Sequence, residues 1–146
     1  MGVPVNFFFE HCDPEIEAAT RQAIDTLAKL GANIIPIEMP SLESSRTVSL
    51  TVQLPEALSA HSDLLKDNRD KYSDEFRSGF AVGQFILAEH YIRAKRCIEG
   101  YRQEMKDVFD KVDIIITPGC PSIAPFIDDL LVNTQGLKEP AGNAIT

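Results

Sequence analysis

The stretch DPEIEAATRQAIDTLAKLGANIIPIEMP, residues 13–40, decides the fold. Asp13 followed by Pro14 is an N-cap and first-turn pair, and Glu15 and Glu17 place negative charge where the helix dipole favours it. Ile16, Ala19, Ala23, Ile24, Leu27 and Leu30 recur three or four apart, so one side of the helix is apolar, and Gly31 stands just beyond the end as a C′ residue. The spacing predicts a helix over 14–30 and then a strand over 32–38, with Pro36 marking that strand as an edge. Upstream, Val3-Pro4-Val5-Asn6-Phe7-Phe8-Phe9 is apolar, β-branched and aromatic and too short for a buried helix, which predicts an interior strand over 3–9. Strand, helix and strand at these lengths form a β-α-β unit with parallel strands.

Outward from this unit the pattern turns helical. After the break at Met39-Pro40-Ser41, residues 42–66 read as helix, kinked or restarted at Pro55, and the polar segment 67–72 reads as loop. From Ser73 to Val112, Phe85, Ala88, Tyr91, Ile92, Ile98, Tyr101, Met105, Val108 and Phe109 keep a helical period through most of the stretch, predicting one long helix. Asp113 opens a short strand, Ile114-Ile115-Ile116, which runs into the turn formers Thr117-Pro118-Gly119-Cys120-Pro121. Beyond Pro125 no periodicity is firm. The chain stops at Thr146 in a polar stretch with glycine and proline, which reads as a cut. The expected fold class is therefore α/β: an N-terminal β-α-β unit, a helical middle with one long helix, then a short strand, with residues 1–146 as a single partial domain.

Composition bounds the function. The chain has 146 residues, 44% of them hydrophobic and 25% charged, the mixture of a folded globular protein. Its 22 acidic against 14 basic side chains give a formal net charge of -8, which repels phosphate backbones and anionic lipid, so no direct nucleic-acid partner is expected. Arg93, Lys95, Arg96 and Arg102 form a basic strip on the long helix, read either as a contact for a phosphate or carboxylate partner or, the reading adopted, as pairing within the helix with acidic neighbours such as Glu89 and Glu99. No apolar run is long enough to span a bilayer and no basic-then-apolar leader is present, so no membrane association is expected and the expected location is cytoplasmic. Cys12, Cys97 and Cys120 are odd in number and widely spaced, and His11, His61 and His90 are scattered, so neither a disulfide framework nor a metal is expected, and no cofactor is implied.

Catalytic constellations are missing at the level of motif. A serine nucleophile needs a glycine-rich turn, a general base and oxyanion donors, and no GxSxG-like or GGSSGG-like stretch occurs. Cys120 lies on a loop at the carboxyl end of a predicted strand, where open α/β sheets bind ligands. A thiol nucleophile there, paired with His61 or His90, is the sharp reading; a small, half-buried side chain in a tight turn is the one adopted.

Three places carry a family resemblance. Gly31-Ala32-Asn33-Ile34-Ile35-Pro36-Ile37-Glu38-Met39-Pro40 resembles the GA-x-V-x-x-V-x-x-P strand of the amidase signature family. Tyr91-Ile92-Arg93-Ala94 is similar to its Y-x-x-A helix, and Asp113 to Pro121 to its D-x-x-x-x-P-T-x-P segment. The Glu56-Ala57 pair falls in the matching order. Gly119 stands where the family's threonine is common, Cys120 follows it, and Pro55 interrupts the middle helix. The resemblance is to the later half of the family's fold, as a partial amidase-like domain. It implies hydrolysis of carboxamides, or release of ammonia from glutamine in the tRNA-dependent amidotransferases, by a Ser, cis-Ser and Lys triad in a glycine- and serine-rich core that lies upstream. No residue here matches that core, so the catalytic set of this chain is none. Thr117, Pro118, Gly119 and Cys120 are the substrate-pocket candidates, and a small-molecule amide is the implied substrate of the full-length protein. The isolated chain is expected to be inert. The alternative is a non-catalytic amidase-like binding or assembly module that self-associates through an exposed sheet edge.

Overall fold

The computed structural model describes residues 1–134 and 136–140. The polar stretch at Thr146 that reads as a cut lies outside the described residues. The fold class is the expected one, mixed helix and strand. The chain divides into two compact units, one from Met1–Glu43 together with the chain from Gln103 onward, the other from Ser44–Arg102.

In the first unit, β1 (Gly2–Pro4) pairs in parallel with β2 (Ile35–Ile37), Gly2 opposite Ile35 and Pro4 opposite Ile37. Helix α1 (Pro14–Lys29) connects them, completing the predicted β-α-β unit. Its start is as read: the Asp13 carboxylate accepts the Glu15 N–H at 2.8 Å and Pro14 occupies the first turn. Its end is also as read, with Leu30 as cap and Gly31 at φ +101°, a left-handed conformation that costs a Cβ-bearing residue about 1–2 kcal/mol. Of its apolar side only Ile24 is buried, and Leu30 is 78% exposed.

The first strand is shorter than the predicted 3–9. Val5 N–H still bonds to Ile37 O at 3.0 Å, but Phe7 takes φ +67° and the backbone turns there, with Phe8 N–H on Asn6 O. Where the ladder stops, the Asn6 side chain substitutes for it: its Nδ2 donates to Met39 O at 3.1 Å and its Oδ1 accepts the Met39 N–H at 3.0 Å. The predicted strand 114–116 is reduced to one parallel bridge, Gly2 to Ile115, framed by Gly2 N–H to Ile114 O and Ile116 N–H to Gly2 O. Pro36 behaves as expected, since β2 flanks β1 on one side only. Ile35 N–H bonds to Met1 O and Ile37 O accepts from Val5, so the residue between them needs no donor toward β1. Ile37, Met39, Val108 and Val112 form the core, with Phe8, Ile35, Leu42, Met105 and Ile115 packed on it.

The tail beyond Pro125, without periodicity in sequence, carries an antiparallel pair, β3 (Leu131–Thr134) with β4 (Leu137–Pro140). Gly136 at φ +93° and its N–H on Asn133 Oδ1 at 3.1 Å shape the turn. Val132 and Thr134 are buried, whereas Phe126, Ile127, Leu130 and Leu131 are exposed.

A short 3-10 turn over Pro40–Ser44 ends the first stretch of the first unit, and the second unit continues with α2 (Ser45–Asn68), which runs through Pro55 without a restart. Proline there withholds the N–H that the Thr51 carbonyl would accept. Residues 67–72 are not simply loop: the helix reaches Asn68, and Arg69–Lys71 form a 3-10 turn. The predicted single helix from Ser73 to Val112 is two, α3 (Asp74–Gly83) and α4 (Ala88–Phe109). Ser73 caps α3 by accepting the Phe76 N–H. Gly83 ends it against the backbone of α2, where an added Cβ would lie 2.8 Å from Leu54 O. Phe85, counted among the helix's apolar positions, falls in the break and is 82% exposed. Val48, Val52 and Ala94 are the buried core here, with Tyr91, Ile98 and Tyr101 against them.

Candidate functional site

Three parallel backbone segments of the first unit end at one edge: β1 at Pro4, β2 at Ile37, and the bridge segment at Ile116. Carboxyl ends of parallel strands leave peptide groups unpaired, and loops leaving them converge, which is why such edges gather ligand sites. Here the loops are the turn at Phe7–Phe9, the Glu38–Pro40 link and the predicted pocket segment Thr117–Cys120. Pro118 is buried, Thr117 and Cys120 are half-buried and Gly119 is exposed. Asp13 N–H donates to Pro121 O at 2.7 Å, joining the loop to the start of α1 and bringing Cys120 beside the fully buried Cys12. Burial pushes the Cys12 thiol above its usual range, and the neighbouring charges of Glu17, Asp13 and Cys120 push it further.

The histidines that a thiol nucleophile would need have other surroundings. His61, in the second unit, shares a 2.9 Å hydrogen bond between Nδ1 and the Tyr72 hydroxyl, and its ring packs on Tyr72 and Phe80. His90 is exposed and lies 3.4 Å from Glu89. His11 is exposed in the turn before α1. Among the described residues, no cluster of three or more histidine, cysteine or acidic side chains could hold a metal ion.

The second unit contains a concavity that sequence reading did not single out. Ser45, Ser49, Gln53 and Glu56, with Val48, Val52, Ala57 and Ala60 between them, line one face of α2, and Ile98 and Tyr101 of α4 complete a groove of about 650 Å³. Their spacing of three and four along α2 was the available signal, but Ser, Ala and Gln in that register read as a solvated face. At its rim the Tyr91 hydroxyl donates to Glu56 at 2.6 Å, and Lys95 lies 3.9 Å from the same carboxylate. The bond to Glu56 raises the Tyr91 phenol above its ordinary value, because ionising it would forfeit the donor and set two negative charges together. Of the basic strip, Arg102 pairs with Glu99 inside α4 as expected, while Lys95 reaches across to Glu56 on α2.

A short parallel sheet with a loop cluster at its carboxyl edge defines an α/β segment. Its architecture matches a solved amidase: the crystal structure of an amidase superposes with a TM-score of 0.89 at 23% identity, covering 99% of this chain and 33% of that one. The family model described as Amidase matches residues 1–138, and the chain belongs to that family. An amidase of Pseudomonas putida is 33% identical over 82% of this chain and 26% of its own length. A glutamyl-tRNA(Gln) amidotransferase subunit of Methanospirillum hungatei JF-1 is 30% identical over 85% of this chain and 34% of its own. The chain thus spans about a quarter to a third of the length of these relatives. Amide C–N hydrolysis is the chemistry of the family's named amidases. Among the described residues, no helix is long and apolar enough to cross a membrane.

Proposed function

We propose that this chain is one part of an amidase-family hydrolase, a single partial domain over 1–146, which acts in the complete protein on the C–N bond of a small carboxamide. The observation that carries the reading is the family match over residues 1–138 in a chain that covers only 26% and 34% of its relatives. Thr117, Pro118, Gly119 and Cys120 are proposed to wall the substrate pocket. Support for this is their position at the carboxyl edge of the parallel segments, with Thr117 and Cys120 only half-buried. The nucleophile and its proton relay come from outside these residues, so the isolated chain is inert, and the cytoplasm is its proposed location.

Ammonia release from a panel of carboxamides that includes glutamine, together with labelling by a serine-reactive fluorophosphonate, tests this. The isolated chain is expected to give neither signal, and a polypeptide that joins it to a serine- and lysine-bearing amidase core is expected to give both. Labelling or turnover by the isolated chain removes the inert reading; a joined, folded polypeptide without turnover removes the hydrolase reading.

The exposed apolar residues around the hairpin, Phe126 at 85% and Ile127 at 92%, favour a second reading, a non-catalytic assembly module that self-associates. Sedimentation decides it: a concentration-dependent dimer that loses its association in Ile127→Asp supports the module, and a monomer at all concentrations removes it.

A further inference from the structure

Two cysteines precede residues that hydrogen-bond to one another. Cys12 ends the turn that follows β1 and is fully buried, while Cys120, in the loop after the bridge segment, is half-buried. The bond from Asp13 N–H to Pro121 O joins the residues that directly follow the two cysteines. That 2.7 Å bond holds the two segments in direct contact, and a disulfide needs the Cα atoms of Cys12 and Cys120 about 4.4–6.8 Å apart. The Cys12 thiol also senses the charge of Cys120, which places the two groups within electrostatic reach. Cys97, by contrast, is exposed on α4 in the other unit. Accessibility therefore ranks the two neighbours: Cys120 meets solvent first, and Cys12 meets Cys120.

We propose that Cys12 and Cys120 form a reversible dithiol–disulfide pair, oxidised by a low-molecular-weight disulfide of the glutathione class. The Cys120 thiolate attacks one sulfur of the small disulfide; the small S–S bond breaks, one small thiol leaves, and a mixed disulfide stands on Cys120. The Cys12 thiolate then attacks Cys120 Sγ; the mixed bond breaks, the second small thiol leaves, and the Cys12–Cys120 bond forms. Two protein thiols lose two protons and two electrons, and the small disulfide takes up both pairs as two thiols. Because burial and the Glu17 and Asp13 carboxylates disfavour the Cys12 thiolate, the second step accelerates as pH rises. The bridge pins the Thr117–Pro121 loop to the start of α1, which makes loop mobility redox-dependent. This inference rests on the bond between Asp13 and Pro121 and on the burial of Cys12, and stands whether or not the loop walls an amide pocket.

Native 146-residue chain incubated with oxidised glutathione, alkylated with iodoacetamide and mapped without reduction tests it. The expected product links the tryptic peptide of residues 1–21 to that of residues 112–138, reverts on adding reduced glutathione, and forms several-fold faster at pH 9 than at pH 7. Cys97→Ser is expected to form the same link, and Cys120→Ser to form none, with Cys12 remaining unmodified. Cys12 and Cys120 both staying alkylable, stable glutathione adducts without a link, or Cys97 as the main partner of either would each overturn the proposal.

Discussion

The first unit is closed by segments far apart in the chain, the second by helices that follow one another, and their cores differ accordingly. Ile37 and Met39, from β2 and the link after it, meet Val108 and Val112 from the far end of the chain in one place, so short strands suffice to hold the sheet. In the second unit Val48, Val52 and Ala94 lie under Tyr91, Ile98 and Tyr101, Phe80 is buried among His61, Tyr72 and Phe76, and α3 approaches α2 closely where Gly83 faces Leu54. The first unit gathers apolar side chains from distant segments, whereas the second brings neighbouring helices together, most closely where Gly83 carries no side chain. The groove along α2 follows from the second strategy, because small side chains leave space that no neighbouring helix fills.

Substitutions that attack each strategy separately test this contrast. Met39→Ala is expected to have the largest effect, a loss of about 2–5 kcal/mol from the lost burial and the cavity left behind, read from urea unfolding followed by circular dichroism. A loss below about 1 kcal/mol would mean the first unit does not depend on that volume. Gly83→Val comes next, at about 1–3 kcal/mol, because its Cβ meets backbone that cannot rotate away. Hydrogen exchange locates the damage: faster exchange in α3, with β1 and β2 amides unchanged, sharpens the distinction, and uniform acceleration would erase it. Asp13→Ala is the smallest, about 1 kcal/mol, since it removes one capping acceptor at the helix start. Its loss should be recovered largely by Asp13→Ser, measured in the same unfolding experiment.

What could be read in advance divides along the same line. The capped start at Asp13-Pro14, the stop at Gly31 and the parallel pairing across α1 are local chemistry, and the structure repeats them. Thr117–Cys120 lie in the loop that follows the Gly2–Ile115 bridge, all that forms of the strand expected at 114–116. The break between α3 and α4 was not legible, because Gly83 matters through Leu54, far from it in sequence, and the apolar period runs on across the gap. The hairpin of β3 and β4 escaped because its strands are four residues each, with mixed polar faces. Phe7 shows a third limit: an apolar run predicts extension, but hydrogen bonds from Asn6 to Met39 tie the chain down one residue earlier and it turns. The α2 groove stayed hidden because serine and alanine at helical spacing announce water as readily as a cavity.

Pro36 gives the small sheet a direction of growth. On the outer side of β2 a strand that tried to join would find, at this residue, a ring where it needs an N–H, and the hydrogen-bond rail would be interrupted at its midpoint. The flank carrying Ile114 and Ile116 holds no proline and is tied to Gly2 by the bonds already described. A strand added beside Ile114–Ile116 would meet an unbroken row of peptide groups, whereas one added beside β2 would meet a gap at Pro36.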